Sequence, residues 1–184
     1  KKKKEELRFS LATGETEELK HTAELLKEMW STIGAGVEIK VFKSGDLNQN
    51  IIRPRKYAAL FFGEIIGRES DPFAFWHSSQ RNDPGLNIAL YANIATDKLL
   101  EEGRVKSDKE ERTEIYKKFE RKIIEDAPLV PIYSPDFIYI IPEKVRGIRT
   151  GVIAVPSERF IDIHSWYIET ARVWKIFSKK QEVK

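Results

Sequence analysis

The sequence predicts an α/β fold with a largely parallel central sheet flanked by helices, and three observations carry that prediction. Leu7-Arg8-Phe9-Ser10-Leu11-Ala12-Thr13 alternates apolar and polar residues, the period of a strand. Leu19, Ala23, Leu26, Trp30 and Ile33 then recur at spacings of four and three, with Leu25 and Met29 beside them, which gives a helix one wide apolar face. Val37, Ile39 and Val41 alternate with Glu38 and Lys40 as a second strand. Strand, helix and strand in so short a run make a βαβ unit with parallel strands and a right-handed crossover.

The elements follow in order. Gly14 ends the first strand. Thr16 opens the helix, and Glu17 and Glu18 put negative charge at the positive end of its dipole. Gly34 and Gly36 close it. Asp46 caps a short helix through Leu47, Ile51 and Ile52, which Pro54 interrupts. The run Tyr57-Ala58-Ala59-Leu60-Phe61-Phe62 is apolar nearly throughout, which predicts a third strand covered on both faces in the middle of the sheet. It breaks at Gly63. The stretch from Glu64 to Gln80 packs charged, polar and aromatic residues just past that strand end, where loops commonly carry binding groups. Within it, Asp71-Pro72 sets up a turn or a helix start. Arg81 to Gly85 is a turn by composition. Leu86 to Asn93 shows no clear period. Thr96 or Asp97 starts a short helix that stops at Gly103. Ser107, with Glu110 three residues on, forms a capping box for a long helix with a stripe of Ile115, Phe119 and Ile123, widened by Tyr116 and Ile124. Pro128 ends it. Leu129 to Ile141 is a β region interrupted by Pro131 and Pro135, an edge strand or one crossing between layers. Val145 to Val155 forms a hairpin or an extended connection. Phe160, Ile161 and Ile163 precede Trp166 and Tyr167, and a basic tail runs from Glu169.

At 184 residues the chain is one domain, or one lobe of something larger, with enough length to bury a core. Its net charge of +3 is too weak a bias to argue for nucleic acid. The lysines cluster at the two ends, Lys1 to Lys4 and Lys175, Lys179, Lys180 and Lys184, where solvated tails are the default. With no cysteine, disulfides, thiolate chemistry and Cys-based zinc sites are excluded. No apolar run approaches the roughly 20 residues of a membrane span. The N-terminus lacks the apolar segment and cleavage site of a signal peptide, so any export signal is expected outside this stretch.

Catalytic signals are weak. His21, His77 and His164 are far apart and have no metal-ligand spacing. His21 reads as a surface residue and His164 as a packing residue beside Trp166. Ser78, His77 and Asp71 lie close in sequence, but no nucleophile elbow surrounds the serine, and Asp71 reads better as a helix cap. Gly63 and Gly67 are too few for a phosphate loop. Trp30 belongs to the core. Trp76 either packs against the third strand or presents its ring to a ligand. Arg68, in a loop after Gly67, either offers a planar fork to a carboxylate or is a solvated surface arginine.

Positions 7 to 150 resemble the C-terminal lobe of family 5 extracellular solute-binding proteins, the oligopeptide, dipeptide and nickel receptors of ABC importers. The resemblance is carried by Leu7 to Thr13, the helix from Glu17, and Ser31-Thr32-Ile33-Gly34-Ala35-Gly36-Val37-Glu38-Ile39. It continues through Ser70-Asp71-Pro72, Phe75-Trp76-His77-Ser78, Tyr91 and Asn93 ahead of Asp97-Lys98-Leu99-Leu100, Glu125-Asp126-Ala127-Pro128 and Val130-Pro131-Ile132-Tyr133. It implies a class II periplasmic-binding-protein-like lobe over 7–150, preceded by a basic tail over 1–6 and followed by a return segment and basic tail over 151–184. It also implies a non-enzymatic receptor without a cofactor or a metal ligand set. Such a receptor clamps a peptide or similar small solute between this lobe and an N-terminal lobe absent from this chain, and delivers it to ABC permease subunits in the membrane. The expected location is periplasmic or extracellular, with a membrane anchor on the full-length protein, and the chain is expected to be an excised fragment or an incomplete gene product. In peptide-binding members an aspartate four residues before the proline of this loop pairs with the ligand's terminal amine. Here that position is Arg68, which favours an anionic group instead, and Glu69 and Asp71 are the nearby carboxylates.

The expected cleft wall is Arg68, Asp71, Trp76, His77, Tyr91 and Asn93, with Arg68 as ionic anchor and Trp76 as apolar platform. The rival readings are a solute-sensing domain of a regulatory protein and a hydrolase using His77 with a neighbouring carboxylate.

Overall fold

The computed structural model describes residues 6–66, 71–149, 151 and 153–168. The chain divides into two compact units, one of Lys1–Glu64 with Ser70–Pro131 and one of Ile65–Glu69 with Ile132–Lys184.

The first unit opens with β1 (Arg8–Gly14), α1 (Glu17–Ser31) and β2 (Gly36–Phe42). β1 and β2 pair in parallel, with Leu11 opposite Ile39, so the βαβ unit forms as its periodicity requires. Thr16 caps α1 by accepting the Leu19 N–H at 3.4 Å. The helix ends at Ser31, and Gly34 takes a left-handed φ of 86° in the turn that follows. Ile33 therefore lies past the helix end and is 79% exposed, not on the apolar face. That face buries Ala23 against Leu11 and Val37, with Phe9, Trp30, Ile39, Ala59 and Phe61 packed around them. Truncating a core side chain such as Leu11 to alanine costs about 2–5 kcal/mol.

β3 (Ala59–Phe61) pairs in parallel with the other side of β1, giving the order β2-β1-β3. This corrects the expectation for the third strand. β1 is the central strand, with Leu11 to Gly14 buried, while β3 is a half-buried edge among the described residues. Before it, α2 (Ser44–Asp46) runs into a π-helical turn over Leu47–Ile52, so Asp46 sits inside the helical segment and does not cap it.

Three helices complete the unit: α3 (Phe73–Trp76), α4 (Ile94–Val105) and α5 (Lys109–Asp126). α4 starts earlier than its apolar pattern suggests because Asn93 caps it, accepting from the Ala95 and Thr96 N–H groups. It passes through Gly103, which is buried against Tyr116 and is required for that close approach. The cap of α5 is Asp108, one residue after the expected Ser107, and its Oδ1 accepts the Glu111 N–H at 2.8 Å. α5 ends at Ala127, in a left-handed conformation with φ 45°, ahead of Pro128.

In the second unit, β4 (Val145–Arg146) pairs antiparallel with β5 (Tyr167–Ile168), so Val145 to Val155 does not close a hairpin on itself. Leu129 to Ile141 carries no strand. Pro131 and Pro135 lack an N–H for a ladder, and no described strand lies alongside. The basic tail from Glu169 falls outside the described residues.

Candidate functional site

The expected site residues that the structure describes lie in the first unit, around α3 and the loop before α4. Arg68 is outside the described residues. Asp71 initiates α3: its Oδ1 accepts the Phe73 N–H at 3.0 Å, while its Oδ2 lies 2.8 Å from Arg104 Nε on α4. The Arg104 guanidinium sits over the Phe73 ring, 4.3 Å from its centroid, and the His77 ring stacks on the Phe73 ring at 4.0 Å. Guanidinium, phenyl and imidazole thus form a stack that fastens the single turn of α3 to α4. A depression of about 490 Å³ lined by Phe73, Glu101, Arg104 and Val105 opens beside it.

His77 is buried. Its Nδ1 accepts the Ser79 N–H at 3.1 Å, which makes the Ser79 hydroxyl, 2.8 Å away, a second donor to the same nitrogen. In the neutral ring this leaves the proton on Nε2, which lies 3.4 Å from Glu101 Oε1 and 3.9 Å from Asp97 Oδ1 without an aligned hydrogen bond. Ser78 donates its backbone N–H and its hydroxyl to Asp97 at 3.0 and 2.6 Å. Ser78, His77 and Asp71 therefore each bond elsewhere and form no relay.

Trp76 turns its ring edge-on to Tyr91 and Phe119, with centroids 6.3 and 6.1 Å apart. It packs against Phe119 of α5 and against the loop before α4. Tyr91 is buried, and its hydroxyl donates to Asp126 Oδ2 at 2.6 Å and accepts from Thr96 Oγ1 at 2.9 Å. Asn93 donates to the same Asp126 oxygen at 2.8 Å, and Lys122 Nζ lies 3.1 Å from Oδ1. The hydrogen bond from Tyr91, then that from Lys122, with Asn93 adding to them, hold the Asp126 carboxyl below the usual aspartate range. Burial, then the hydrogen bond to the Asp126 carboxylate, push the Tyr91 hydroxyl up, partly offset by Thr96.

One residue unmarked in the sequence organises this region. Asn87 is fully buried, and the two N–H bonds of its side-chain amide are shared among the carbonyls of Trp76, His77 and Tyr91, at 3.1, 3.2 and 2.9 Å. Its Oδ1 accepts the Tyr91 N–H at 3.2 Å. It knots the end of α3 to the irregular loop before α4. Of the other histidines, His21 and His164 are both exposed, so His164 is not the packing residue expected. Among the described residues no group of three or more His, Asp or Glu side chains is arranged to hold a metal ion, and no helix is long and apolar enough to cross a membrane.

A parallel sheet with a βαβ crossover and flanking helices is the fold of a periplasmic-binding-protein lobe, and solved structures of that class superpose on it. The relatives include oligopeptide-, dipeptide- and nickel-binding proteins of the family 5 solute-binding type. The oligopeptide-binding protein AppA of Bacillus subtilis is 25% identical over 162 residues, covering 87% of this chain and 29% of its own length. Its structure in complex with a nonapeptide matches at a TM-score of 0.70 and 24% identity, covering 92% of this chain and 33% of that one. NikZ of Campylobacter jejuni, solved with Ni(L-His), matches at a TM-score of 0.64 and 21% identity over 87% of this chain and 33% of its own. No protein-family model matches the chain. The chain thus spans about a third of the length of the receptors it resembles.

Proposed function

We propose that this chain is one lobe of an extracellular solute receptor that passes a peptide-like solute to an ABC permease. The observation that carries this reading is the likeness to the nonapeptide complex of AppA, which runs through 92% of this chain. The solute binds in a cleft shared with a second lobe, closes it by a hinge motion, and the closed form is read at the membrane. The protein is a binding protein and not an enzyme, and it acts outside the cytoplasm.

Arg68 is the ionic anchor, taking an anionic group of the solute, and Asp71, Trp76, His77, Tyr91 and Asn93 form the rest of the cleft wall. The side chains of Asp71, Tyr91 and Asn93 and the Nδ1 of His77 already have partners in Arg104, Asp126, Thr96 and Ser79, which favours a supporting part for them. The test is native mass spectrometry of the longest product of the gene, purified from its host, followed by denaturation to release any retained small molecule. A co-purified peptide or other small organic acid is expected. A protein that emerges empty, and takes up no peptide from a random nonapeptide mixture, overturns the reading.

A further inference from the structure

The buried ring of His77 has a nitrogen to spare: its Nε2 has no hydrogen-bond partner. That nitrogen faces two carboxylates of α4, Glu101 at 3.4 Å and Asp97 at 3.9 Å. Asp97 is already engaged by the N–H and the hydroxyl of Ser78, whereas Glu101 is exposed and has no other partner among the described residues. Arg104, also on α4, lies across the Phe73 ring from His77 and is paired with Asp71. From the loop before α4 the contact is neutral, the Asn87 amide on the His77 carbonyl. At the other ring nitrogen, Nδ1 accepts the Ser79 N–H at 3.1 Å and so caps the short 3-10 turn Ser78–Gln80.

A proton cannot join this ring without undoing that cap. In the imidazolium both nitrogens are donors. The new Nδ1–H is directed at the Ser79 hydroxyl oxygen, 2.8 Å away, and the Ser79 N–H loses its acceptor. At the same time Nε2–H becomes half of a charged pair with Glu101. Each protonation state thus strands one N–H: Nε2–H in the neutral ring, Ser79 N–H in the charged one. We propose that His77 is a proton-operated switch, which exchanges the cap on the Ser78–Gln80 turn for an ion pair to Glu101 on α4. The exchange reaches the loop before α4, because the Gln80 carbonyl at the end of the turn accepts the Asn87 N–H at 3.1 Å. Imidazole is the side-chain group that ordinarily changes charge between about pH 5 and 8, which makes mild acid the trigger. The switch stands apart from the receptor reading and needs no second lobe.

Nitrogen-edited NMR of the 184-residue chain between about pH 5 and 8 tests this, with the exposed His21 and His164 as references in the same sample. At the alkaline end His77 is expected as the Nε2–H tautomer. On acidification its ring and the Ser79 amide are expected to shift together, with one midpoint. E101Q, at an exposed position, removes the charged partner and is expected to lower that midpoint by roughly 0.5 pH units while His21 and His164 keep theirs. H77N offers the Ser79 N–H a side-chain oxygen that does not titrate, and is expected to abolish the response of the Ser79 amide. A ring that stays neutral for as long as the chain is folded overturns the proposal. So does a Ser79 amide with a midpoint of its own, one that still responds in H77N, or a His77 midpoint unmoved by E101Q.

Discussion

Tyr91 and Asp126 are joined by a 2.6 Å hydrogen bond across 35 positions of sequence, and the bond pins the loop before α4 to the last turn of α5. Removing the hydroxyl leaves the buried ring in place, so Y91F isolates the bond. The loss expected is about 1–2 kcal/mol, since the acceptor is charged and Thr96 loses its acceptor as well. Urea unfolding followed by far-ultraviolet dichroism measures it. A variant as stable as the parent would show that Lys122 and Asn93 suffice to hold Asp126.

The same pair predicts a stability curve that falls at both ends. The folded Asp126 carboxyl titrates below its unfolded value of about 3.9, so its contribution is present above that pH and is lost as pH falls through the folded value. Tyr91 titrates above its unfolded value of about 10, so its contribution is complete below that pH and is lost as pH rises through the folded value. D126N is expected to reduce the acid limb, leaving the parts due to Asp83 and Glu114, whose carboxyls are held down by their hydrogen bonds with Arg53 and Lys117. Y91F is expected to reduce the alkaline limb, leaving the parts due to Tyr57 and Tyr116, raised by burial, and to Lys106 and Lys122, raised by their hydrogen bonds to carboxylates. Denaturation midpoints from pH 2 to 11 decide it, and limbs unchanged in both variants would remove the pair from the titration.

The βαβ unit was legible because one helix face and two alternating strands bury one cluster, Leu11, Ala23 and Val37, and burial writes a period into sequence. The place of β3 was not. An apolar run describes both faces of a strand but says nothing of its neighbours in the plane, and β1 took the centre. Cap positions slipped by one to three residues because Asn93 and Asp108 compete with Thr96 and Ser107 in chemistry, and only the local backbone decides. In the site, Tyr91 and Asn93 entered through the family resemblance alone, and their common partner Asp126 lies at the far end of α5. Asn87 was hidden for a related reason: a buried amide serving a non-repeating loop leaves no period.

Asn87 should be the most sensitive position in the first unit. N87A strands the Trp76 and Tyr91 carbonyls and the Tyr91 N–H, while the His77 carbonyl keeps the Gln80 N–H, which puts the expected loss at roughly 3 kcal/mol. N87D is expected to be at least as damaging, because a carboxylate cannot donate to those carbonyls and is repelled by them. Thermal unfolding of both variants provides the comparison. If N87D proved near-neutral, the amide would have to be reversed and the knot reassigned.

Gly103 in α4 offers a test of packing against propensity. In a helix interior, glycine to alanine ordinarily stabilises by about 1 kcal/mol. Here a Cβ would run into the Tyr116 ring on α5. G103A is expected to destabilise the parent, and to become neutral or stabilising in a Y116A background where the obstruction is gone. A double-mutant cycle on unfolding free energies reads the coupling directly. No coupling would mean the ring swings aside freely.

The proposed shared cleft makes its own prediction about this chain taken alone. A solute held between two lobes loses most of its buried surface when one is absent, while the entropic cost of capture remains. The 184-residue chain is therefore expected to bind a nonapeptide no more tightly than about 1 mM, and calorimetry with unrelated nonapeptides should show little heat. In a product of the gene long enough to supply the second lobe, R68E should then weaken capture of an anionic solute and spare a neutral one, because the site exchanges a guanidinium for a like charge. Tight binding by the chain alone would place the whole solute site within one lobe and end the shared-cleft reading. Equal effects of R68E on anionic and neutral solutes would keep the cleft but remove Arg68 as its ionic anchor.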